Sequence, residues 1–182
     1  ITMLNAVGGS TNGILHLLAL ANEVKIKLTY DDFERIRKKT PHIADMKPGG
    51  SYVMNSLDKI GGIPLVMKKL MDHNLIHANT LTVTGKTIKE NLEGIKISNI
   101  TDEKIVRSVE NPLHDVGTAV ILKGTLAPDG AVIKTAGMEM TKFTGKAKVF
   151  DTEESAFDSV SKGKIEEGDV LVIRYEGPKG GP

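Results

Sequence analysis

Apolar residues in the first half of the chain recur at helical intervals. Between Ile14 and Val24 they fall on one helical face, which predicts an amphipathic helix that begins after Asn12. Thr29 and Asp32 have the spacing of a capping box, with Asp in place of the usual Glu. Further helices, each bounded by a cap residue, a glycine or a proline, are predicted over residues 29–39, 52–60, 64–73 and 87–94.

The pattern changes near residue 95, where helical stripes give way to short apolar runs separated by turn residues. These runs predict strands over residues 95–100, 116–122, 131–133, 147–150 and 170–175. One helix interrupts them over residues 151–161, where Asp151 and Thr152 supply the N-cap and Gly163 the end. This half of the chain therefore predicts a compact β-barrel or sandwich with one crossover helix.

Composition indicates an ordinary globular protein. The chain has 182 residues and a net charge of +1, so we expect neither nucleic acid nor a membrane as a partner. It contains no Cys, which excludes disulfides and a cysteine-bound cluster held by this chain alone. It has no long apolar run and no basic-then-apolar leader, so the cytoplasm is the expected location. The apolar start at Ile1 and the glycine-rich end lead us to expect a piece of a longer protein.

The first candidate site is the sequence NAVGGSTN at residues 5–12. A glycine turn there precedes Ser10, Thr11 and Asn12, which stand at the predicted helix N-terminus. Backbone N–H groups and the helix dipole favour an anion such as a carboxylate at such a terminus. Plain capping of a buried helix explains the same residues. Lys47, in the turn DMKPGGS, also has two interpretations: a charge that neutralises a substrate anion, or a surface lysine.

The second candidate site is the end of the chain, VLVIRYEGPKGGP at residues 170–182. Its first six residues predict a buried strand. The polar residues that follow suit a binding loop, since they combine a carboxylate and an ammonium group with glycines that allow close backbone approach. A polar surface turn is the alternative. The residues concerned are Glu176, Gly177, Pro178, Lys179, Gly180 and Gly181.

A third motif, LTVTGKT at residues 81–87, has the appearance of a phosphate-binding loop. The phosphate-loop pattern requires a glycine five residues before Gly85, and that position holds Thr80. We therefore reject a nucleotide site. His73 and His77 have a metal-ligand spacing only if their helix continues between them, and we expect both side chains to be exposed.

Several motifs, in order along nearly the whole chain, resemble the dihydroxy-acid dehydratase and phosphogluconate dehydratase family. They are NAVGGSTN (5–12), LTYDDFERI (28–36), ADMKPGGSYVM (44–54), LTVTGKT (81–87), LKGTLAPDGAVIKTAG (122–137) and VLVIRYEGPKGGP (170–182). One alone would be weak, whereas the full set in register is specific. APDGAVIK at residues 127–134 is closer to the dihydroxy-acid or sugar-acid branch than to the phosphogluconate branch.

The resemblance implies an α/β fold plus a β fold. The chain would hold the helical part of an N-terminal α/β domain, followed by a β-barrel-like swivelling domain with one or two helices that closes over the active site. Residues 1–80 would be the C-terminal helical part of the N-terminal dehydratase domain, residues 81–105 a linker, and residues 106–182 the truncated C-terminal domain. A homodimer or a larger assembly is expected of the full-length protein.

The resemblance also implies a lyase, namely a dehydratase of branched-chain amino-acid biosynthesis that converts a 2,3-dihydroxy acid to a 2-keto acid. In the family, Mg²⁺ and an iron–sulfur cluster act on the substrate oxygens while a serine removes the C2 proton. The cluster cysteines and the first magnesium ligands would precede Ile1, and the last metal ligand and the serine would follow Pro182. We therefore expect no catalytic residue and no metal ligand in this segment, which should be inactive when isolated.

The resemblance leaves the rim of the active site to this segment. Ser10, Thr11 and Asn12 would lie near a substrate carboxylate, and Lys179 would be a further substrate-binding residue. A hinge that carries the missing metal ligand would be formed by Glu176, Gly177, Pro178, Gly180 and Gly181. The alternatives are a sugar-acid dehydratase acting on an aldonate or phosphogluconate, a non-catalytic binding module on the same scaffold, and a phosphate-binding protein, which the missing glycine weakens.

Overall fold

The computed structural model of the protein describes residues 1–93, 102–139 and 142–177. The chain forms two compact units, one from Ile1 to Gly137 and one that begins at Met138. The helices are α1 (Thr2–Ala6), α2 (Asn12–Glu23), α3 (Tyr30–Arg37), α4 (Met54–Lys59), α5 (Gly62–Asp72), α6 (Ile88–Glu93) and α7 (Glu153–Ser161). The strands are β1 (Ala119–Leu122), β2 (Ala131–Lys134), β3 (Lys146–Phe150) and β4 (Asp169–Ile173).

Local sequence signals determine where several helices begin, as predicted. The backbone N–H and the hydroxyl of Thr29 donate to the Asp32 carboxylate at 3.0 and 2.9 Å, which closes the capping box of α3. At α6, the Thr87 N–H donates to the Glu90 carboxylate and the Glu90 N–H donates to the Thr87 hydroxyl, which also forms a capping box. At α7, the Thr152 hydroxyl accepts a hydrogen bond from the Ser155 N–H at 3.1 Å. These caps satisfy backbone donors that the first helical turn leaves without helical partners.

The core of the first unit surrounds an extended segment, residues 40–46, that the sequence patterns did not predict. All of its residues except Asp45 are buried. The N–H groups of Ile43 and Ala44 both donate to the Ala6 carbonyl oxygen, at 2.9 and 3.1 Å. Its apolar side chains share one cluster with the buried residues Leu57, Ile60, Leu65, Val66 and Leu70 of the α4–α5 region. Paired backbone groups and apolar side chains together allow a loop-like segment to lie inside the protein.

An antiparallel hairpin, β1 and β2, packs with the helices of the first unit. Its register places Ala119 opposite Lys134. Ala119 is buried with Ile14 of α2 and Phe33 of α3 in a second apolar cluster. The hairpin thus belongs to the same compact unit as the helices that precede it. The domain limits that the resemblance implies, at residues 80 and 105, stay predictions.

A buried asparagine connects α1 to the hairpin. Asn5 is 1% exposed, and its Oδ1 accepts a hydrogen bond from the Ala119 N–H at 3.3 Å. Its Nδ2 donates to the Ile1 carbonyl oxygen at 3.2 Å. Gly117 packs directly against this side chain, because a Cβ at Gly117 would lie only 2.3 Å from Oδ1. The contact therefore requires glycine at this position.

An ion pair on α3 makes a second link to the hairpin. The Arg37 guanidinium donates to the Glu34 carboxylate at 2.6 and 2.8 Å and to the Gly117 carbonyl oxygen at 3.2 Å. The Ile121 N–H of β1 donates to the same carboxylate at 3.4 Å. The hydrogen bonds from Arg37 hold the pKa of Glu34 below its ordinary value, although partial burial acts in the opposite direction.

The second unit contains a parallel strand pair joined by a helix. β3 and β4 pair in register from Lys146–Asp169 to Phe150–Ile173, and α7 connects them. The strand predicted over residues 170–175 is present, but the prediction that it is buried is wrong. Leu171 and Ile173 are 40% and 41% exposed, because a two-stranded pair has too few neighbours to cover both of its faces.

The described strands form two separate two-stranded sheets, β1–β2 and β3–β4, and no closed barrel. A mixture of helices and small sheets is thus confirmed, whereas the barrel-like domain is not confirmed. The strand predicted over residues 95–100 lies outside the described residues. Within the described part of the chain, no helix combines the length and the apolar character that crossing a bilayer requires.

Gly117→Ala should destabilise the protein, because the added methyl group would overlap the buried Asn5 side chain. We expect a loss of about 1–3 kcal/mol in the free energy of unfolding, the usual cost of overpacking a core. Gly124→Ala is the matched control, since a Cβ there meets no atom within 4 Å, and it should change stability by less than about 0.5 kcal/mol. Denaturant unfolding measures both variants. Equal stability of the two would show that the Asn5 contact does not hold the hairpin.

Arg37→Ala should lower the free energy of unfolding by about 1–3 kcal/mol, because Glu34 and the Gly117 carbonyl oxygen lose their donor. Arg35→Ala is the control, since its ion pair with Asp32 is largely exposed and should contribute less than about 1 kcal/mol. Denaturant unfolding at neutral pH compares the two variants. A similar small loss in both would contradict a linking role for Arg37.

The same ion pair predicts how stability changes with pH. Folding lowers the pKa of Glu34 below its ordinary 4.5, so its stabilisation is present above that pH and is lost as the pH falls through the folded value. The Arg37→Ala variant lacks this donor, so the pKa of Glu34 in the folded variant should lie closer to its ordinary value. The variant should therefore lose less stability than the wild type between about pH 5 and 3, and parallel stability curves would refute this coupling.

Candidate functional site

An open cleft of about 350 Å³ in the first unit brings three separate chain segments together. One wall is the turn before α2, with Ser10 and Thr11, and a second is the turn that contains Lys47. Lys134, at the end of β2, lines a third side. Asn12 begins α2 directly after this turn and is half-buried. Two residues of the first predicted site, Ser10 and Thr11, therefore line the same cleft as Lys47.

Close backbone contacts at glycines hold these segments together. A Cβ on Gly49 would lie 2.7 Å from the Ala136 carbonyl oxygen, and one on Gly137 would lie 2.6 Å from the Gly49 carbonyl oxygen. A Cβ on Gly8 would lie 2.7 Å from Nε2 of His42. Gly8 and Gly137 also have φ values of 59° and 77°, which favour glycine. Larger residues at these positions would push the walls of the cleft apart.

The turn before α2 uses several of its own backbone donors. Ser10 Oγ accepts a hydrogen bond from the Asn12 N–H at 3.2 Å. The N–H groups of Gly13 and Ile14 donate to the Ser10 and Thr11 carbonyl oxygens, both at 3.0 Å. Thr11 occupies the N-cap position without a side-chain cap bond. Ligand binding at this turn would therefore rely on the hydroxyl groups more than on the first N–H groups of the helix.

The lining of the cleft carries positive charge and no negative charge. Lys47 is exposed and Lys134 is half-buried, and none of the lining residues is Asp or Glu. Within the described ranges, neither lysine takes part in an ion pair. Two ammonium groups beside two hydroxyl groups suit a small anion that also bears hydroxyl groups.

A buried histidine lies behind the Gly8 wall of the cleft. His42 is 4% exposed, and its Nδ1 is 2.8 Å from Nδ1 of His114, so one of the two rings donates to the other. In the part of the chain that the structure describes, Nε2 of His42 has no hydrogen-bond partner. Burial first, and then the nearby His114 and Lys134, lower the pKa of His42 to about 4. The ring is therefore neutral at neutral pH.

The second predicted site belongs to the other compact unit and is described only in part. The Glu176 carboxylate accepts a hydrogen bond from the Glu153 N–H at 3.1 Å, so it caps the N-terminus of α7. Gly177 is exposed. Outside the described residues lie Pro178, Lys179, Gly180 and Gly181. Their roles in substrate binding and hinge motion stay predictions.

The described residues do not form a metal site by themselves. They contain no group of three or more His, Cys, Asp or Glu side chains that could hold a metal ion. His73 and His77 are exposed, as predicted, and α5 ends at Asp72 before either of them. The sequence also has no Cys. The described residues therefore do not match the ligands that Mg²⁺ or an iron–sulfur cluster requires.

Two other features of the first unit also contain cationic or hydroxyl side chains. A larger cleft of about 620 Å³ is lined by apolar side chains such as Met3 and Ile76, and also by two cations and three threonines: Arg35, Lys39, Thr2, Thr40 and Thr80. In the loop at residues 81–87, the Thr82 and Thr84 hydroxyls bond each other at 2.9 Å and also bond the Asn91 side chain. Arg35 of the larger cleft pairs with Asp32 at 3.0 Å, whereas among the described residues neither lysine of the smaller cleft pairs with a carboxylate.

The sequence patterns did not identify Lys134 or His42 as site residues. Lys134 ends a short strand, and no local pattern shows that this end meets the turn that contains Lys47. The available signal was the glycine content of the two motifs ADMKPGGSYVM and LKGTLAPDGAVIKTAG, each of which has a lysine within three residues of a glycine. His42 stands in the sequence TPHIADM, where nothing local distinguishes it from an ordinary core histidine.

Comparison with known proteins confirms the resemblance. Residues 1–91 match the family model described as dihydroxy-acid/6-phosphogluconate dehydratase N-terminal, and residues 104–182 match the C-terminal model. The chain is 59%, 57% and 56% identical to proteins named dihydroxy-acid dehydratase from Saccharolobus solfataricus, Sulfolobus acidocaldarius and Nocardioides sp.. Each alignment covers 100% of this chain, and 33%, 32% and 32% of the respective relative.

The chain therefore spans about a third of the length of the curated relatives that it matches. Its two halves correspond to consecutive N-terminal and C-terminal family models, in the order that the motifs indicated. The chain belongs to the dihydroxy-acid/6-phosphogluconate dehydratase family.

Proposed function

We propose that the full-length protein is a hydro-lyase that removes water from a 2,3-dihydroxy acid to give a 2-keto acid, a step of branched-chain amino-acid biosynthesis. The high identity to proteins named dihydroxy-acid dehydratase supports this reaction. The structural observation that carries the proposal is the cleft beside Ser10, whose lining offers hydroxyl groups and two lysines without a carboxylate. Such a lining suits a small hydroxylated acid.

Dehydration of such an acid requires groups that this part of the chain does not hold. The C2 proton is weakly acidic and hydroxide leaves poorly, so the reaction needs a base and a Lewis acid. The described residues contain no metal-ligand set, and the sequence contains no Cys. We therefore propose that residues outside these 182 supply the catalytic serine, the magnesium ligands and the cluster ligands. The role of this chain is to bind and orient the acid.

In this proposal the predicted site residues keep their roles at the rim. Ser10, Thr11 and Asn12 bind the acid end of the substrate, and the position of Ser10 and Thr11 in the cleft lining supports this role. Lys179 adds a further substrate contact. The hinge consists of Glu176, Gly177, Pro178, Gly180 and Gly181, and the bond from Glu176 to α7 would anchor its first residue.

Several properties of the full-length protein belong to the same proposal. Further strands would complete a β-barrel-like swivelling domain around β3 and β4, both of which have exposed apolar residues. The enzyme would be a homodimer or a larger assembly, and it would act in the cytoplasm on a small-molecule substrate. These features follow from family membership and not from a contact in the first or the second unit.

A sugar-acid dehydratase is the second candidate, because the matching family models also describe 6-phosphogluconate dehydratases. The names of the relatives at 56–59% identity favour a dihydroxy acid. A non-catalytic binding module on the same scaffold is the third candidate. Unlike the two dehydratases, it would lack the catalytic serine and the metal and cluster ligands in the rest of the full-length protein. Activity measurements on that protein separate the three candidates.

The full-length protein, loaded with its iron–sulfur cluster and Mg²⁺, should convert 2,3-dihydroxyisovalerate to the 2-keto acid. An aldonate and 6-phosphogluconate are the comparison substrates, and we expect kcat/KM for the dihydroxy acid to exceed theirs by at least about tenfold. Keto-acid formation gives the rate in each case. Turnover of a sugar acid alone would favour the second candidate, and no turnover by the loaded protein would favour the binding module.

The isolated chain of 182 residues should give no detectable keto acid from 2,3-dihydroxyisovalerate, even with iron and magnesium added. The reason is that the sequence has no Cys and that the residues described by the structure hold no metal-ligand set. The loaded full-length protein, assayed under the same conditions, is the positive control. Measurable turnover by the isolated chain would mean that its own residues perform the elimination.

A further inference from the structure

We propose that Lys47 and Lys134 are the carboxylate-binding pair of the cleft, an assignment that rests on the proposed function. The two lysines come from different parts of the first unit, a turn and the end of a strand, yet they line one space of about 350 Å³. Ser10 and Thr11 line the same space. The pair neutralises the acid end of the substrate while the hydroxyl groups of the turn orient it.

The positive charges of the cleft have no counter-charge from the lining. It contains no Asp or Glu, and Asp45, the acidic residue nearest to Lys47 in the sequence, has its carboxylate against the backbone of Gly50. Two cations held around a small space attract an anion into it. Lys134 is the more buried of the two, so solvent and salt screen its charge less than that of Lys47.

The chemistry of the cleft favours a carboxylate over a phosphate. Phosphate sites at helix N-termini use a row of backbone N–H groups. Here the N–H groups of Asn12, Gly13 and Ile14 already donate within the turn. The lining also contains no Arg, the residue that binds phosphate in a bidentate manner. Two lysines and two hydroxyl groups match a singly charged acid with a neighbouring hydroxyl group.

The packing around the cleft holds together the two backbone segments that carry the lysines. Gly49, two residues after Lys47, and Ala136, two residues after Lys134, are in direct backbone contact that a Cβ on Gly49 would prevent. This contact keeps the two lysine-bearing segments together, so both lysines line one cleft that has no acidic lining residue. A backbone that is already in place reduces what ligand binding has to order to the two side chains.

The environment of His42 is an independent observation at the same wall. A buried polar atom without a partner is rare in proteins, and Nε2 of His42 is such an atom among the described residues. A Cβ on Gly8 would lie 2.7 Å from this atom, so the His42 ring packs directly against Gly8. Gly8 in turn lines the cleft. The charged groups that act on His42 are His114, Asp45 and Lys134. The cleft wall at Gly8 therefore has a buried polar ring atom beside it, in addition to the lysines and hydroxyl groups that line the cleft.

The test compares Lys47→Gln and Lys134→Gln with the control Lys123→Gln in the loaded full-length protein. Lys123 follows the other strand of the same hairpin, pairs with Asp31 at 3.0 Å and does not line the cleft. Lys134→Gln should raise both KM for the dihydroxy acid and the inhibition constant of isobutyrate, a monocarboxylate probe, by about tenfold or more. The exposed Lys47 should give a smaller rise, and the control less than about twofold.

Two further measurements separate ligand binding from a structural effect. The value of kcat should change much less than KM, because the charge of the acid end is the same before and during the reaction. Lys134→Arg, which keeps the charge, should restore most of the affinity for isobutyrate. Inhibition by inorganic phosphate should be weak and similar in every variant.

The outcomes distinguish this assignment from the proposed function. Unchanged KM and unchanged isobutyrate inhibition in both Gln variants of an active enzyme would overturn the assignment alone. An inactive wild type would contradict the proposed function, and calorimetry of isobutyrate binding would then test the lysine pair by itself. If Lys134→Gln does not fold, Lys47→Gln and Lys134→Arg provide the comparison. Phosphate inhibition that weakens in parallel with isobutyrate inhibition would overturn the choice of a carboxylate.

Discussion

The buried extended segment at residues 40–46 is the constraint on which the first unit depends. Its backbone groups cannot reach water, so each requires a protein partner. Ala6 at the end of α1 accepts two of the N–H groups, and the His114 carbonyl oxygen accepts the N–H of His42 at 2.9 Å. The Arg107 N–H donates to the Ile43 carbonyl oxygen at 2.8 Å. The hydrogen bonds of this one segment therefore bring together α1 and two later loops that are distant in sequence.

The cleft follows from that packing. The turn with Ser10 comes directly after α1, whose end is held by the buried segment, and the turn with Lys47 comes directly after the segment itself. Both walls of the cleft are thus extensions of the same core. The third wall, at Lys134, joins them through backbone contacts that only glycine permits at Gly49 and Gly137. The two lysines line one cleft because the backbones pack, and two cations without an acidic lining residue favour an anion.

The second unit depends on local interactions to a greater extent. α7 is capped by Thr152 and by Glu176, and Arg174 after β4 pairs with Asp151 at 2.6 Å. Its apolar side chains are much less covered than those of the first unit, with Phe157 72% exposed. Strand identity was predictable here because β-branched runs and turn residues are local signals. Burial was not, since it depends on how many neighbours a strand has.

The sequence by itself determined several helix starts, including those of α3, α6 and α7, the approximate positions of the described strands, and the family. It did not predict α1, and α5 begins two residues before the predicted residue 64. Capping at Thr29 and Thr152 involves residues three positions apart, so the pattern and its physical cause lie in the same few residues. The motif order likewise needs no folded structure to be recognised. Only the tertiary structure decided that residues 40–46 are buried, that the hairpin packs with the helical unit, and that Lys134 and Lys47 line one cleft. These features depend on residues that are far apart in the chain, and no local sequence pattern at one residue identifies its partner.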